Sequence, residues 1–155
     1  MTTSTEFLSD SPAATEAFAA RWAQNLTPDA IILLMGDLGA GKTTFIRGLA
    51  HGLGIAEPVR SPTFTLMHEY VIQQPPHLQG IPFFHIDLYR IETPAQLATL
   101  GLEEVLERGG VVAIEWAERL RMANVSLRAT HVYEVALTHS GETHRTVRIV
   151  EQCAG

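Results

Sequence analysis

Two kinds of apolar pattern alternate along the chain. Ala30-Ile31-Ile32-Leu33-Leu34-Met35 and Val111-Val112-Ala113-Ile114 are short runs without a polar residue, the signature of strands buried on both faces. Between them Phe45, Ile46, Leu49, Ala50 and Leu53 fall at helical spacing, and Gly54 is placed to close that helix in the left-handed conformation. Ser11-Pro12 reads as a helix start, a capping hydroxyl followed by a proline whose missing N–H does no harm in the first turn. Phe18 and Trp22, with Ala14 and Leu26, form the apolar stripe of that helix through about residue 25, and the stretch 25–29 around Pro28 is the turn that follows.

Beyond Gly54 the pattern changes from helical to alternating. A loop runs to Pro62, and residues 63–72 are rich in β-formers. Pro75, Pro76 and Gly80 break that run, and residues 83–90 read as a second strand, so the pair predicts an antiparallel hairpin. Thr93-Pro94-Ala95-Gln96 combines a capping threonine, a first-turn proline and a glutamine placed for the reciprocal bond, which predicts a helix over about 94–100. Gly101 ends it, and a short helix over 102–108 follows. Residues 130–137 and 143–150 are alternating runs around Ser140-Gly141, a terminal hairpin. With no repeat or linker, this order predicts one α/β domain across residues 1–155, a mixed, mostly parallel core sheet flanked by helices with a C-terminal β-hairpin.

Composition narrows the function classes. The net charge is −6 and no arginine-rich run exists, which argues against a large nucleic-acid surface of the chain's own. A lone Cys153 excludes an internal disulfide and fits a reducing compartment. Residues 1–6 lack a basic region backed by an apolar segment, and no apolar run approaches the roughly 18 residues of a membrane span, so a soluble, cytoplasmic protein is expected. The seven histidines include no ligand spacing that points to zinc.

The chemistry is concentrated in Gly36-Asp37-Leu38-Gly39-Ala40-Gly41-Lys42-Thr43, which matches the phosphate-binding pattern G-x-x-x-x-G-K-[ST] without mismatch, between a buried strand and an amphipathic helix as the motif requires. Gly36, Gly39 and Gly41 let successive amides turn inward toward phosphate oxygens, and the helix N-terminus adds its partial positive charge. Lys42 is the only lysine beside ten arginines. It is expected to reach the terminal phosphates, and the Thr43 hydroxyl to bind Mg²⁺. Asp37, Leu38, Gly39, Ala40, Gly41, Lys42, Thr43 and Thr44 are thus the candidate nucleotide contacts.

An NTPase also needs a carboxylate at the end of a core strand to hold or orient Mg²⁺. Val111-Val112-Ala113-Ile114-Glu115 and Phe83-Phe84-His85-Ile86-Asp87 each deliver one, and spacing alone leaves open which touches the metal, although the run before Glu115 is uninterrupted by polar residues. His85, Asp87 and Tyr89 alternate onto one face, either beside the site or as a solvated sheet face. Trp116 is either a core aromatic or a platform at the site mouth. Arg60-Ser61-Pro62-Thr63 lies where NTPases place a γ-phosphate-sensing segment, and an ordinary proline turn accounts for it equally well.

Taken together, Gly36-Asp-Leu-Gly-Ala-Gly-Lys-Thr-Thr44, Ser61-Pro-Thr-Phe-Thr-Leu66, His85-Ile-Asp-Leu-Tyr-Arg90 and Ile114-Glu-Trp116, in this order, resemble the TsaE (YjeE) family over roughly residues 6–150. The resemblance implies a P-loop NTPase fold and a weak, Mg²⁺-dependent ATPase that turns ATP into ADP. It implies action on a TsaB–TsaD partner complex that makes threonylcarbamoyladenosine in tRNA, with tRNA met only through that complex. It implies Thr43 and Glu115 as Mg²⁺ ligands, with Lys42 on the phosphates. Asp87 would support hydrolysis or the metal's water shell, Thr63 would belong to the γ-phosphate-sensing loop, and Trp116 would matter for activity. The segment 8–15 and the Gly141 turn would approach base and ribose. The family commonly has proline after Glu-Trp; here Ala117 stands there, so Trp116-Ala117-Glu118-Arg119 is free to enter a helical turn.

Two other functions compete. A small-molecule kinase would need an acceptor site and an arginine-bearing lid, whereas the arginines here are scattered singly. A nucleotide-gated binding module would bind without hydrolysing. The absence of an Asn-Lys-x-Asp guanine-reading motif favours ATP over GTP.

Overall fold

The computed structural model describes residues 2–37, 41–59, 66–122, 127 and 131–153. Strands β1 (Thr2–Ser9), β2 (Ala30–Met35), β3 (Met67–Val71), β4 (Pro82–Asp87), β5 (Val111–Glu115), β6 (His131–His139) and β7 (Arg145–Cys153) form one seven-stranded sheet. Helices α1 (Pro12–Ala23), α2 (Lys42–Gly52), α3 (Pro94–Thr99) and α4 (Leu102–Glu107) connect them, with 3₁₀ turns at Pro76–Leu78 and Ala117–Met122. The strand order is β1-β7-β6-β2-β5-β4-β3. The central β6, β2, β5 and β4 run parallel, while β3, β7 and β1 join antiparallel at the flanks.

The expected mixed sheet with a parallel core and a C-terminal hairpin is therefore present. The apolar run of β2 is buried on both sides because alternate residues serve two cores. Ile32 and Leu34 face a cluster with Phe45, Ile46 and Leu49 of α2 and Ala19 and Ala23 of α1. Ile31 and Leu33 face a second cluster with Leu97 of α3, Leu102, Val105 and Leu106 of α4, and Leu120. Helices thus cover both faces, as parallel strands require.

Local signals place most elements where the pattern predicts. The Ser11 side chain accepts from the Ala14 amide at 3.1 Å, capping α1. Thr93 and Gln96 make both halves of the capping box at α3. Gly54 and Gly101 take φ of +70° and +74° at the helix junctions.

Four points add to or correct these expectations. Residues 2–9 form an edge strand on β7 that the polar run Thr2-Thr3-Ser4-Thr5 does not announce. The buried face of α1 is Thr15, Ala19 and Ala23, with Phe18 and Trp22 only half-buried beside the core. The reason lies in α2: a Cβ on Gly48 would stand 2.5 Å from the Glu16 carbonyl oxygen, and one on Gly52 2.4 Å from that of Ala20. The two helices touch backbone to backbone, which only small residues permit. Third, β4 ends at Asp87 instead of running to residue 90: the Leu88 amide makes the last bond to β5, at Glu115 where β5 itself ends, and the Ile91 amide then donates back to the Leu88 carbonyl in a turn. The fourth follows: Tyr89 lies beyond the strand and is exposed, whereas His85 is fully buried, so these residues are not a solvated sheet face.

Candidate functional site

Strand register assembles the site. In the β4–β5 ladder Asp87 stands opposite Glu115, and in the β2–β5 ladder Leu34 stands opposite Glu115. Both carboxylates therefore reach the carboxyl ends of parallel strands at the level where β2 gives way to the glycine-rich loop. Open α/β sheets bind their ligands at that edge. The loop leaves β2 through Gly36 (φ +147°) and enters α2 through Gly41 (φ +100°), conformations that side chains resist. Among the described residues a Cβ on Gly41 would meet Leu137, at 3.7 Å, an ordinary contact, and it is the backbone conformation that calls for glycine there.

From the first turn of α2, Thr43 Oγ1 donates to Glu115 Oε1 at 3.0 Å. The other carboxylate oxygen, Oε2, meets His85 Nε2 at 2.6 Å. Glu115 is 3% exposed and His85 is fully buried, so the helix N-terminus is tied to two strands by one buried carboxylate. The Lys42 ammonium donates to the carbonyls of Gly36 and of Asp37, the latter at 3.0 Å, and lies 4.0 Å above the Trp116 ring. Burial pushes the Lys42 pKa down, while Glu115, Glu118, Asp87 and Asp37 pull it back up.

Asp87 differs from Glu115. Its Oδ1 accepts from the Tyr89 amide at 3.0 Å. Its pKa is raised, first by burial and then by Glu115, against the opposing pull of that amide, His85 and Lys42. Its own amide donates to the carbonyl of Leu66, a residue held at φ +61°. Leu66, the first described residue after the stretch 60–65, is thereby held next to Asp87. Thr63 itself, like Leu38, Gly39 and Ala40, lies outside the described residues.

Trp116 sits at φ +58°, an uncommon conformation for a bulky residue and one that turns the chain from β5 into the 3₁₀ turn. The helical turn permitted by Ala117 is thus present. Trp116 packs against the second core and also lies beneath Lys42 and 5.2 Å from the ring of the exposed Tyr89, so it is at once a half-buried aromatic and a wall of the site. At the same end of the sheet, β1 ends at Ser9 opposite Arg145, and the 140–144 turn follows β6. Segment 8–15 and Gly141 therefore share the loop's edge of the sheet.

The structure brings together Lys42, Thr43, Asp87, Glu115 and Trp116. It adds two residues to which sequence assigned no role. His85 is placed by sequence only on the face it shares with Asp87, and its burial against Glu115 is what the structure adds. Glu118 joins the acidic field around Lys42, with an Oε1 that is buried and has no hydrogen-bond partner among the described residues. Only its spacing three residues after Glu115, on a helical turn, could have pointed to it.

Thr43 Oγ1 and Glu115 Oε1 supply two hard oxygen donors side by side, a set that suits Mg²⁺. Among the described residues no three His, Cys, Asp or Glu side chains converge into a cage. A Mg²⁺ here would take its remaining ligands from phosphates and water, its usual habit.

Comparison with known proteins gives one answer. A family model described as threonylcarbamoyl adenosine biosynthesis protein TsaE matches residues 9–147. The tRNA threonylcarbamoyladenosine biosynthesis protein TsaE of Nostoc sp. (strain PCC 7120) is 43% identical over 130 residues, 81% of this chain and 73% of that protein. Its Bacillus subtilis counterpart is 43% identical over 106 residues, 68% of this chain and 62% of that one. The Rickettsia bellii protein is 37% identical over 139 residues, 89% of each. The crystal structure of Bacillus subtilis YdiB superposes with a TM-score of 0.75 at 29% identity, covering all of this chain and 88% of that one. With a family match over nearly the whole chain, relatives at about this identity and the same fold, the chain belongs to the TsaE family of tRNA threonylcarbamoyladenosine biosynthesis.

Proposed function

We propose that the protein is a Mg²⁺-dependent ATPase that acts on a TsaB–TsaD complex during threonylcarbamoyladenosine formation in tRNA. The observation that carries this reading is the Thr43–Glu115 contact at 3.0 Å, a phosphate-loop hydroxyl joined to a strand-end carboxylate beside the only lysine of the chain.

Each residue's part follows from its place. The loop amides and the N-terminus of α2 would bind the triphosphate, with Asp37, Leu38, Gly39, Ala40, Gly41 and Thr44 lending backbone or side-chain donors. Lys42 would exchange its carbonyl partners for phosphate oxygens as a compact point charge. Thr43 and Glu115 would hold Mg²⁺, which when bound supplies charge neutralisation at the phosphates. Asp87, whose pKa is raised first by burial and then by Glu115, would orient water near the metal. Thr63 would sense the γ-phosphate, three residues before Leu66, whose carbonyl accepts from the Asp87 amide. Base and ribose would lie toward segment 8–15 and Gly141. A net charge of −6 leaves tRNA to the partners.

Phosphate release from ATP, measured with and without TsaB, TsaD, tRNA and Mg²⁺, tests the reading. Turnover that rises with partners and requires Mg²⁺ supports it. Background turnover with every component present means a nucleotide-gated binding module instead. Transfer of the γ-phosphate to a nucleoside, nucleotide or sugar means a kinase.

A further inference from the structure

His85 is a fully buried histidine in a strand whose neighbours Phe83, Phe84 and Ile86 are fully buried and apolar. For packing alone an apolar residue would serve better, since a buried polar ring is costly unless its hydrogen bonds are made. Only one of its nitrogens has a partner: Nε2 meets Glu115 Oε2, and Nδ1 has none among the described residues. The register shows how the contact forms. His85 stands opposite Ala113, and Glu115 lies two residues further along the same face of β5. The methyl of Ala113 leaves room for the ring to lean along the sheet, a diagonal that long side chains reach.

We propose that His85 is a positioning residue for Glu115, setting which carboxylate oxygen is offered to Thr43 and to a cation. A carboxylate that ligates a metal accepts hydrogen bonds only, so Nε2 carries the hydrogen and donates to Oε2. With Oε2 pinned from the strand side, the carboxylate plane cannot rotate, and Oε1 stays directed at Thr43 Oγ1, 3.0 Å away. Outer hydrogen bonds of this kind orient a ligand and raise its affinity for metal. His85 itself touches neither phosphate nor cation in this arrangement. The inference rests on the ATPase reading above, which its test separates out.

The test is a Mg²⁺ titration of wild type, His85→Leu and His85→Gln. It is read both as the affinity for a fluorescent methylanthraniloyl-ATP and as phosphate release with TsaB, TsaD and tRNA present. The Gln amide nitrogen reaches about where Nε2 sits and restores the donor; Leu does not. His85→Leu is expected to raise the half-saturating Mg²⁺ about 10-fold, and His85→Gln to stay within about 3-fold of wild type. Affinity for the nucleotide in EDTA is expected to be the same in all three. Should His85→Leu not fold, His85→Asn takes its place, because its shorter amide reaches the Nδ1 position but not that of Nε2. A wild-type Mg²⁺ requirement in His85→Leu, or a shift in His85→Gln as large as in the donor-less variants, overturns the proposal and leaves the ATPase reading standing. Wild-type protein indifferent to Mg²⁺ overturns both.

Discussion

Glu115 is the residue at which stability and function come apart most cleanly, because two substitutions affect its partners differently. In Glu115→Gln the amide oxygen still accepts from His85 Nε2, and the amide nitrogen donates to Thr43 Oγ1, which rotates to accept. Two charge-assisted bonds become neutral ones, a loss of about 1 kcal/mol each. Against that, a carboxylate only 3% exposed is replaced by a neutral amide, which removes a desolvation cost of several kcal/mol. The Gln variant is therefore expected to melt no more than about 3 °C below wild type, or above it. Glu115→Ala leaves the buried His85 Nε2–H with no acceptor, a penalty of about 1–3 kcal/mol, so its melting temperature is expected to drop by roughly 2–10 °C. Partner-stimulated turnover should drop about 100-fold or more in both, since about 3 kcal/mol of charge stabilisation goes with the metal ligand. Differential scanning calorimetry in EDTA and phosphate release over a Mg²⁺ titration read the two effects separately. Wild-type turnover in Glu115→Gln would refute the metal assignment, and melting as low as Glu115→Ala would refute the hydrogen-bond reasoning.

Lys42→Ala is expected to weaken methylanthraniloyl-ATP binding about 10- to 100-fold, the loss of one charge-assisted phosphate contact, as read by fluorescence titration. Asp87→Asn keeps the Oδ1 acceptor for the Tyr89 amide but removes a charge whose pKa is raised by burial. Because the folded pKa lies above the ordinary 3.8, the ionised group costs stability above that raised value and nothing well below 3.8. The variant should thus melt higher than wild type at pH 7, the gap closing as pH falls toward 3, while turnover drops; thermal scans across pH check the sign. Gly48→Ala gains about 1 kcal/mol of helix propensity, but its Cβ would lie 2.5 Å from a backbone oxygen and 2.6 Å from the Ala19 Cβ. Overpacking costs about 1–3 kcal/mol and backbone cannot yield like a side-chain tip, so urea titration is expected to show a net loss of about 1–2 kcal/mol.

Much of the fold is legible in local pattern because its signals are local. The buried runs of β2 and β5, the capping box at Thr93 and Gln96 and the glycine at 54 each depend on neighbours a few residues away. What escapes is set by distant partners. β1 is an edge strand with mostly exposed residues, paired with β7 at the far end of the chain, so neither alternation nor a turn marks it. The buried stripe of α1 is decided by Gly48 and Gly52 on another helix. The site behaves likewise. The glycine-rich loop names its own chemistry and its need for a strand-end acid, but two acids qualify by spacing. The register of β4 on β5 sets the two side by side, and it is the contact of Thr43 with Glu115 Oε1, invisible in spacing, that supports Glu115 as the proposed metal ligand.

The position of β2 has a consequence for biosynthesis. Its two hydrogen-bonded neighbours are β5 and β6, both drawn from the second half of the chain. As the polypeptide emerges from the ribosome, the strand that carries the phosphate loop has no sheet partner until residues 111–115 are synthesised. Until then both its edges lack partners, and Ile31 and Leu33, whose covering residues in α3 and α4 and Leu120 are still unmade or unplaced, give it the character of a self-associating segment. Contacts of such long sequence separation also form slowly. ATP, which on the proposed function would bind only the assembled loop, helix N-terminus and strand ends, would not assist the early stages and would only hold the finished fold by mass action. On the proposed function, capture of nucleotide would thus be a late event in the life of each molecule, and the interval before it would belong to whatever shields the nascent strand.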